Sequence, residues 1–370
     1  MHLKLCVSIY KTQSGMCGVF ETKKPFFAAD VIGSLLVHRF CNTRYFPFVL
    51  TEIGLSVNMK EVLKQGEDRM KTAKKVFAAV GITILAGALT FAGVFFAPYK
   101  NYKAEQRTIL TETPTDTGEI RVMSANVRCI SPTDLNEKSW FNRASMLISS
   151  IEKQAPTIIG FQEVTKYHYG YLCNSLPSYD ATITYRDNGV LSEGCPIFYR
   201  TDLYTLIEKG TFWLSETPDV MSKSWGAMFN RVCGYVILET KSDNSRFVVF
   251  NTHLDHVSEE ARINGIGVVL DKIREFGDIP AILMGDMNAN ENSQTYTKAT
   301  ETFVDTRHAT ENTSDACTFQ NWGTVEKWID YCFVSEDAFT VNSFAVVTDT
   351  YDGAHPSDHN PLSVSLTLNK

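Results

Sequence analysis

Residues 279–290 read IPAILMGDMNAN, an apolar run that ends abruptly in Asp286, Met287 and Asn288. Side chains alternate faces along an extended chain, so Asp286 and Asn288 point the same way where the strand leaves the core. Gly, Asp and Asn are common turn residues, and a single stretch of this kind is either a plain turn or half of a metal or phosphate site. Recurrence decides between the two. VMSANVR (122–128) carries Asn126 at the end of an apolar run, and IIGFQEV (158–164) carries Glu163. VVFNTHLDH (248–256) brings His253 and Asp255 beside Asn251. KWIDYCFV (327–334) places Asp330 inside a strand-like run, where a lone charge is costly without a partner. HPSDHNPL (355–362) sets Asp358 and His359 just before the last strand. Strand ends lie side by side in a sheet. Residues far apart in the chain are therefore expected on one rim, delivered at the C-terminal ends of five or six strands.

The residue types narrow the chemistry. Asn126, Glu163 and Asp358 are hard oxygen donors, suited to Mg²⁺, Mn²⁺ or Ca²⁺. His253 and His359 are candidates for general acid and base or for donors to a phosphate. The sequence holds no GxSxG and no P-loop, so neither a nucleophilic serine triad nor an NTPase is supported. Arg200 and Arg231 are candidate outer phosphate contacts.

Taken in order, SANVR, FQEV, NTHLDH, GDMNAN, IDY and SDHNPL make residues 119–370 resemble the endonuclease/exonuclease/phosphatase superfamily, the deoxyribonuclease I-like metal-dependent phosphoesterases. The resemblance implies a four-layered α/β sandwich, two packed β-sheets flanked by helices. It also implies roles. Glu163 would hold a divalent ion with Asn126 beside it and Asp358 adding to the site. Asp286 would position or deprotonate the attacking water, and Asn288 would grip a phosphate oxygen. His359 would be held by buried Asp330, and His253 would donate to the phosphate or leaving group. Glu193, in SEGCPIFYR (192–200), stands where the family has a carboxylate that orients that histidine. Which histidine is acid and which base stays open. Phosphate ester hydrolysis needs an activated water, charge neutralisation at the phosphorus oxygens and help for the leaving oxygen, and this set supplies all three.

Around this domain the chain is organised unevenly. The formal net charge of −7 divides into +6 over residues 1–118 and −13 from residue 119 onward. An acidic globular part argues against loose, charge-driven nucleic-acid binding, although bound cations invert the local field for a polyanionic substrate. Residues 76–97 hold no charged side chain, and as a helix they would reach roughly 33 Å, enough to cross a bilayer core. Lys71, Lys74 and Lys75 precede the run, which puts the acidic part on the far side of a cell membrane as the catalytic domain of a single-pass protein. Secretion after cleavage near AGA (86–88) is the alternative. The organisation expected is an ill-defined segment 1–69, an anchor 70–98 preceding the α/β domain, a polar linker 99–118 and the α/β domain 119–370 as a monomer. Met70 followed by KTAKK resembles a complete N-terminus, so residues 1–69 are read as an artefact of start-site choice. No cysteine pair has CxxC spacing; the six after residue 119 read as buried small hydrophobes, or as up to three disulfides outside the cytoplasm.

Helical spacing places Trp140, Ala144, Leu147 and Ile151 on one face of a helix over 138–154, and Ile263, Ile266, Leu270 and Ile273 on one over 258–277. The substrate stays open among nucleic acid (a secreted or surface nuclease), a phospholipid head group (a sphingomyelinase-like phosphodiesterase) and a small phosphate ester. A non-catalytic binding module of the same fold is the rival of another class. The presence of every core residue, Glu163 and His359 included, argues against it.

Overall fold

The computed structural model describes residues 59–96, 99, 102, 106–109 and 118–370. The start-site reading rests mostly on residues outside these. The first helix, α1 (Met59–Phe96), runs straight through Met70. Residues 59–69, MKEVLKQGEDR, consist largely of good helix formers, so the apolar run simply continues a helix begun ahead of it. Within α1, Lys64–Val94 is long and apolar enough to cross a membrane, and no part of its most apolar stretch is buried.

The remaining elements form two sheets. The first has the strand order β11 (Phe339–Val346), β12 (Leu362–Leu368), β1 (Glu119–Asn126), β2 (Ile158–Gln162), β4 (Ile197–Arg200), β3 (Tyr179–Thr182). The second runs β5 (Tyr204–Trp213), β6 (Val232–Thr240), β7 (Arg246–His253), β8 (Ala281–Asp286), β10 (Asp330–Ser335), β9 (Phe303–Asp305). Each sheet has one parallel pair at its centre, β1 with β2 and β7 with β8; every other pairing is antiparallel. The parallel pairs are linked by helices, α2 (Trp140–Gln154) and α4 (Glu259–Arg274), as parallel strands require. Helices α3 (Lys166–Ser175) and α5 (Gln294–Thr300) complete the set.

Period-two alternation explains the layering. On β8, Ile282 and Met284 face a core shared by both sheets, whereas Ala281 and Leu283 face an outer cluster with Ile266, Leu270 and Ile273 of α4. On β1 and β2, Val122 and Ile158 face the shared core, whereas Met123 and Ile159 pack against Trp140, Leu147 and Ile151 of α2. Helices therefore cover the outside of each sheet, which is the four-layered α/β sandwich expected. The α2 stripe is buried as its spacing predicts, and α2 ends where Ala155 turns left-handed at φ 42°. Ser258 caps α4, its Oγ accepting from Ala261 N at 3.2 Å.

Two glycines permit close approaches. A Cβ on Gly160 would stand 2.6 Å from Met284 Sδ across the sandwich. Gly285, at φ 149°, faces Thr252 O, which a Cβ would meet at 2.0 Å. The disulfide expectation is not met. Cys129, Cys173, Cys195, Cys233, Cys317 and Cys332 are free thiols, and Cys233 and Cys332 serve as small apolar groups in separate cores.

Candidate active site

The inward-facing positions lead to the site. Along β1, Val122, Ser124 and Asn126 share a face; along β8, Ile282, Met284 and Asp286; along β10, Asp330, Cys332 and Val334. Register then aligns them: His253 of β7 pairs with Asp286 of β8, and Asp286 with Asp330 of β10. The expectation of C-terminal strand ends holds for Asn126, His253 and Asp286. It fails for Asp330, the first residue of antiparallel β10, and for Asp358 and His359, which lead into antiparallel β12. An antiparallel strand reaches the same rim with its N-terminus.

Asp286 stands at the hub and is buried. Its Oδ2 accepts from Asn126 Nδ2 at 3.0 Å and lies 3.4 Å from His253 Nε2 and 3.8 Å from His359 Nε2. Its Oδ1 accepts from Asn288 N at 2.9 Å. Asn126 Nδ2 also donates to Glu163 Oε1 at 3.1 Å, and Glu163 Oε2 accepts from Cys129 N at 2.7 Å. His359 Nδ1 is 2.9 Å from Asp330 Oδ2. Asn288 Nδ2 stands 2.9 Å from His253 Nε2 and 3.1 Å from Leu254 O. Ser357 Oγ donates to Asn126 O at 2.7 Å and lies 3.3 Å from Asp358 Oδ1, while Arg128 Nη1 is 3.6 Å from Asp358 Oδ2. Glu163, Asn288 and Arg128 all adopt positive φ, at 62°, 47° and 56°, a strained conformation of the kind held at functional sites.

Electrostatics separates the two histidines. Burial alone would lower His359, but the charge and hydrogen bond of Asp330 more than offset this and push it up to about 10. Burial, and then the Arg231 charge, hold His253 well below the ordinary histidine value. A neutral His253 accepts on Nε2 from the Asn288 amide, so as placed it is an acceptor and not the donor to phosphate or leaving group that the resemblance implies. Asp286 is pushed up to about 7 by burial first and by Asp330 second. That carboxylate crowding fits a cation: Asp286 and Asp330 lie in one buried cluster with His359, Glu163 joins Asp286 through Asn126, and a protonated His359 leaves the carboxylates as the ligands. Asn126, expected as a metal ligand, turns its NH₂ group toward the carboxylates, because its Oδ1 accepts from Arg128 N at 2.9 Å. As placed, it spaces Glu163 from Asp286.

Two expectations are corrected. Arg200 lies at the opposite end of the sandwich, because β4 runs antiparallel to β2 and carries its C-terminus away from the rim. There Arg200 clamps Asp202, Nε to Oδ1 at 2.8 Å and Nη2 to Oδ2 at 2.6 Å. Glu193 shares a pocket with Glu163, His253 and Arg231, yet both its oxygens are held by Arg186 rather than by His253, at 2.8 and 2.9 Å. Arg231 does reach the pocket, buried, with Nη2 3.0 Å from His256 Nδ1.

Several supporting residues went unread in the sequence. Arg143 is fully buried on α2 and donates to Val127 O, to Arg128 O at 2.7 Å and to Pro356 O at 3.1 Å, tying the Asn126 and Asp358 loops together. Its signal was available: a charged residue three positions after Trp140, inside the apolar stripe. Thr318 Oγ1 accepts from Asp330 N at 3.1 Å. Asn251 Nδ2 crosses the sandwich to Phe161 O and Pro196 O, each at 2.8 Å, and its Oδ1 accepts from Gln162 Nε2 at 2.7 Å.

Comparison with known proteins bears on the fold and the family. Residues 123–359 match the Endonuclease/Exonuclease/phosphatase family. An uncharacterised protein of Acanthamoeba polyphaga mimivirus is 31% identical over 217 residues, 53% of this chain and 80% of that protein. The CCR4-Not complex 3'-5'-exoribonuclease subunit Ccr4 of Aspergillus terreus is 25% identical over 46% of this chain, which spans only 29% of that protein. Among solved structures, the mannosyl-6-phosphatase of Bacteroides thetaiotaomicron superposes with a TM-score of 0.62 at 33% identity, over 67% of this chain and 100% of that one. The chain therefore belongs to the endonuclease/exonuclease/phosphatase family of phosphoester hydrolases.

Proposed function

We propose that this chain is a divalent-metal-dependent hydrolase of compact phosphate esters, anchored in a membrane by α1. The observation that carries the reading is the convergence of Glu163, Asp286, Asp330, His253 and His359 at one rim, joined by the Asn126 and Asp330 hydrogen bonds. Glu163 and Asp358 would hold Mg²⁺ (or Mn²⁺ or Ca²⁺), with Asn126 setting the spacing of the carboxylates around it. When bound, the ion neutralises charge on the phosphate oxygens. Asp286 aligns the attacking water and accepts its proton. Asn288 Nδ2, whose two hydrogens go to His253 Nε2 and Leu254 O, would exchange the Leu254 bond for one to a non-bridging oxygen. His359, kept charged by Asp330, donates a charge-assisted hydrogen bond to the oxygens where negative charge develops. Neutral His253 fixes Asn288.

A compact ester is favoured over a long nucleic-acid strand because the domain carries a net charge of −13, and a strand-binding groove draws on clustered cations. The likeness to a mannosyl-6-phosphatase supports the same choice. The uncharged run 76–97, preceded by Lys71, Lys74 and Lys75, supports a single span with the domain outside the cytoplasm; a cleaved secretory signal is the alternative.

The test is a panel of p-nitrophenyl phosphate, mannose 6-phosphate, sphingomyelin, RNA and plasmid DNA, each with Mg²⁺, Mn²⁺, Ca²⁺ or chelator. Metal-dependent hydrolysis of a small ester or a head group is expected. Cleavage of nucleic acid with every small ester inert would replace the substrate class. Full turnover in chelator would remove the metal.

A further inference from the structure

Beside the pocket that holds Glu163 and His253 lies an apolar rim built by three loops. Loop 187–192 exposes Val190 at 78% and Leu191 at 49%. Loop 214–231 exposes Val220, Met221, Met228 and Phe229, and the loop after β7 exposes Val257 at 59%. Outside α1, these three loops hold most of the exposed large apolar side chains among the described residues. They are stitched together. Met228 N donates to Asp255 Oδ2 at 3.0 Å, Ser258 Oγ to Trp225 O at 2.6 Å, and Asn230 Nδ2 to Arg186 O at 3.2 Å. The Arg186 guanidinium stacks over Phe229 at 4.4 Å, and Phe229 stacks on His256.

Seven exposed apolar side chains on three hydrogen-bonded loops beside one pocket are more than scattered surface residues and point to an interaction site. The composition is interfacial: aliphatic and Met tips, a Phe, half-buried Trp225 and exposed Lys223, with exposed Glu216 and Asp219 beside them. The occupant is indicated by α1, whose Lys64–Val94 stretch is long and apolar enough to cross a membrane. A chain tethered to a bilayer holds its domain at high local concentration beside the lipid surface.

We infer that loops 187–192, 214–231 and 256–258 rest on the bilayer surface and turn the Glu163–His253 pocket toward phosphate esters held in that surface. This rests on reading α1 as a membrane anchor. It makes the substrate class a lipid-borne phosphate ester rather than one free in solution. The rim residues bind the surface; they take no part in the chemistry.

The test reconstitutes the full chain into phosphatidylcholine vesicles containing dibrominated phosphatidylcholine, in chelator, so that the outcome is independent of catalysis. Trp225 emission is isolated by difference against Trp225→Phe. A combined Val220→Ser, Met221→Ser and Val257→Ser variant is compared with the wild type. The expected result is flotation of both proteins with the vesicles, and strong bromine quenching of Trp225 that falls at least twofold in the variant. Flotation with Trp225 unquenched overturns the rim while leaving the anchor standing, as does a protein partner occupying the rim instead. Equal quenching in wild type and variant also overturns it, because tethering alone would then account for proximity. Failure to float overturns both readings.

Discussion

Replacing Asp330 by Asn isolates the dyad at the heart of the site. The two side chains are buried, at 3% exposure for Asp330 and 6% for His359, and their Oδ2 and Nδ1 are 2.9 Å apart. Asp330 raises His359 from the ordinary 6.5 to about 10, against the burial that lowers it. The amide keeps the shape and one acceptor oxygen but removes the charge that raises His359 most, so its pKa falls, with Asp286 and Asp358 left as the charges that oppose burial. The sign for stability follows. A histidine raised in the fold contributes stability that is fully present below 6.5 and lost as pH rises through about 10. In Asp330→Asn that contribution disappears at pH 7, and a charge-assisted hydrogen bond worth about 1.5–3 kcal/mol goes with it. For a domain of this size that is a fall in melting midpoint of roughly 3–12 °C. The rate should fall about 10²–10⁴-fold, the usual value of a placed proton donor. The assay is a two-dimensional NMR titration of the His359 ring nitrogens in metal-free protein, wild type against variant, with kcat measured on the metal-loaded samples. His359 should remain protonated through pH 8 in the wild type and titrate at clearly lower pH in the variant. A His359 titration unshifted in Asp330→Asn would refute the reasoning, as would Asp330→Asn and His359→Ala losses that multiply in the double variant, since members of one unit do not add.

Asp286→Asn should lower kcat by about 10²–10⁴-fold and Asn288→Ala by roughly 10²–10³-fold, with little change in KM. If instead both variants melt far below wild type while their folded fractions turn over normally, the GDMNAN segment is only a turn. Gly285→Ala forces a Cβ to within 2.0 Å of Thr252 O, so β7 and β8 must part; a stability loss above about 3 kcal/mol by denaturant titration is expected. Asn251→Ala leaves the carbonyls of Phe161 and Pro196 without that donor, and chemical denaturation should register a loss of roughly 2–5 kcal/mol with kcat nearly unchanged.

Much of this was readable before any fold was known, for reasons that particular residues illustrate. Asp286, Asn126 and His253 each follow an apolar run at even spacing from core residues, so the face they share is fixed by period two. The burial of Asp330 is implied by a charge inside a strand; its pairing with His359 is implied only by the family resemblance. What could not be read is strand direction. Arg200 ends an apolar run just as Asp286 does, yet β4 is antiparallel to β2 and points the other way. The resemblance pairs Glu193 with a histidine, and the sequence does not show that Arg186 folds back onto it, Arg186 N donating to Glu193 O at 2.8 Å. The orientation of the Asn126 amide depends on Arg128 N, a backbone group that carries no side-chain signature. The exposure of Val220 and Met228 in loop 214–231 belongs to tertiary structure alone.

The central claim, that Glu163 holds the cation on which hydrolysis depends, is tested most directly by phosphate release from p-nitrophenyl phosphate across a Mg²⁺ titration, wild type against Glu163→Gln. Glu163 is held by Asn126 and by Cys129 N in a setting that the amide preserves in volume. The account predicts no turnover by wild type in chelator, saturable activation by Mg²⁺, and a variant whose activation is shifted to at least tenfold higher metal with its melting midpoint retained. Wild-type turnover that persists in chelator, or a Glu163→Gln curve that overlays the wild type, would contradict it.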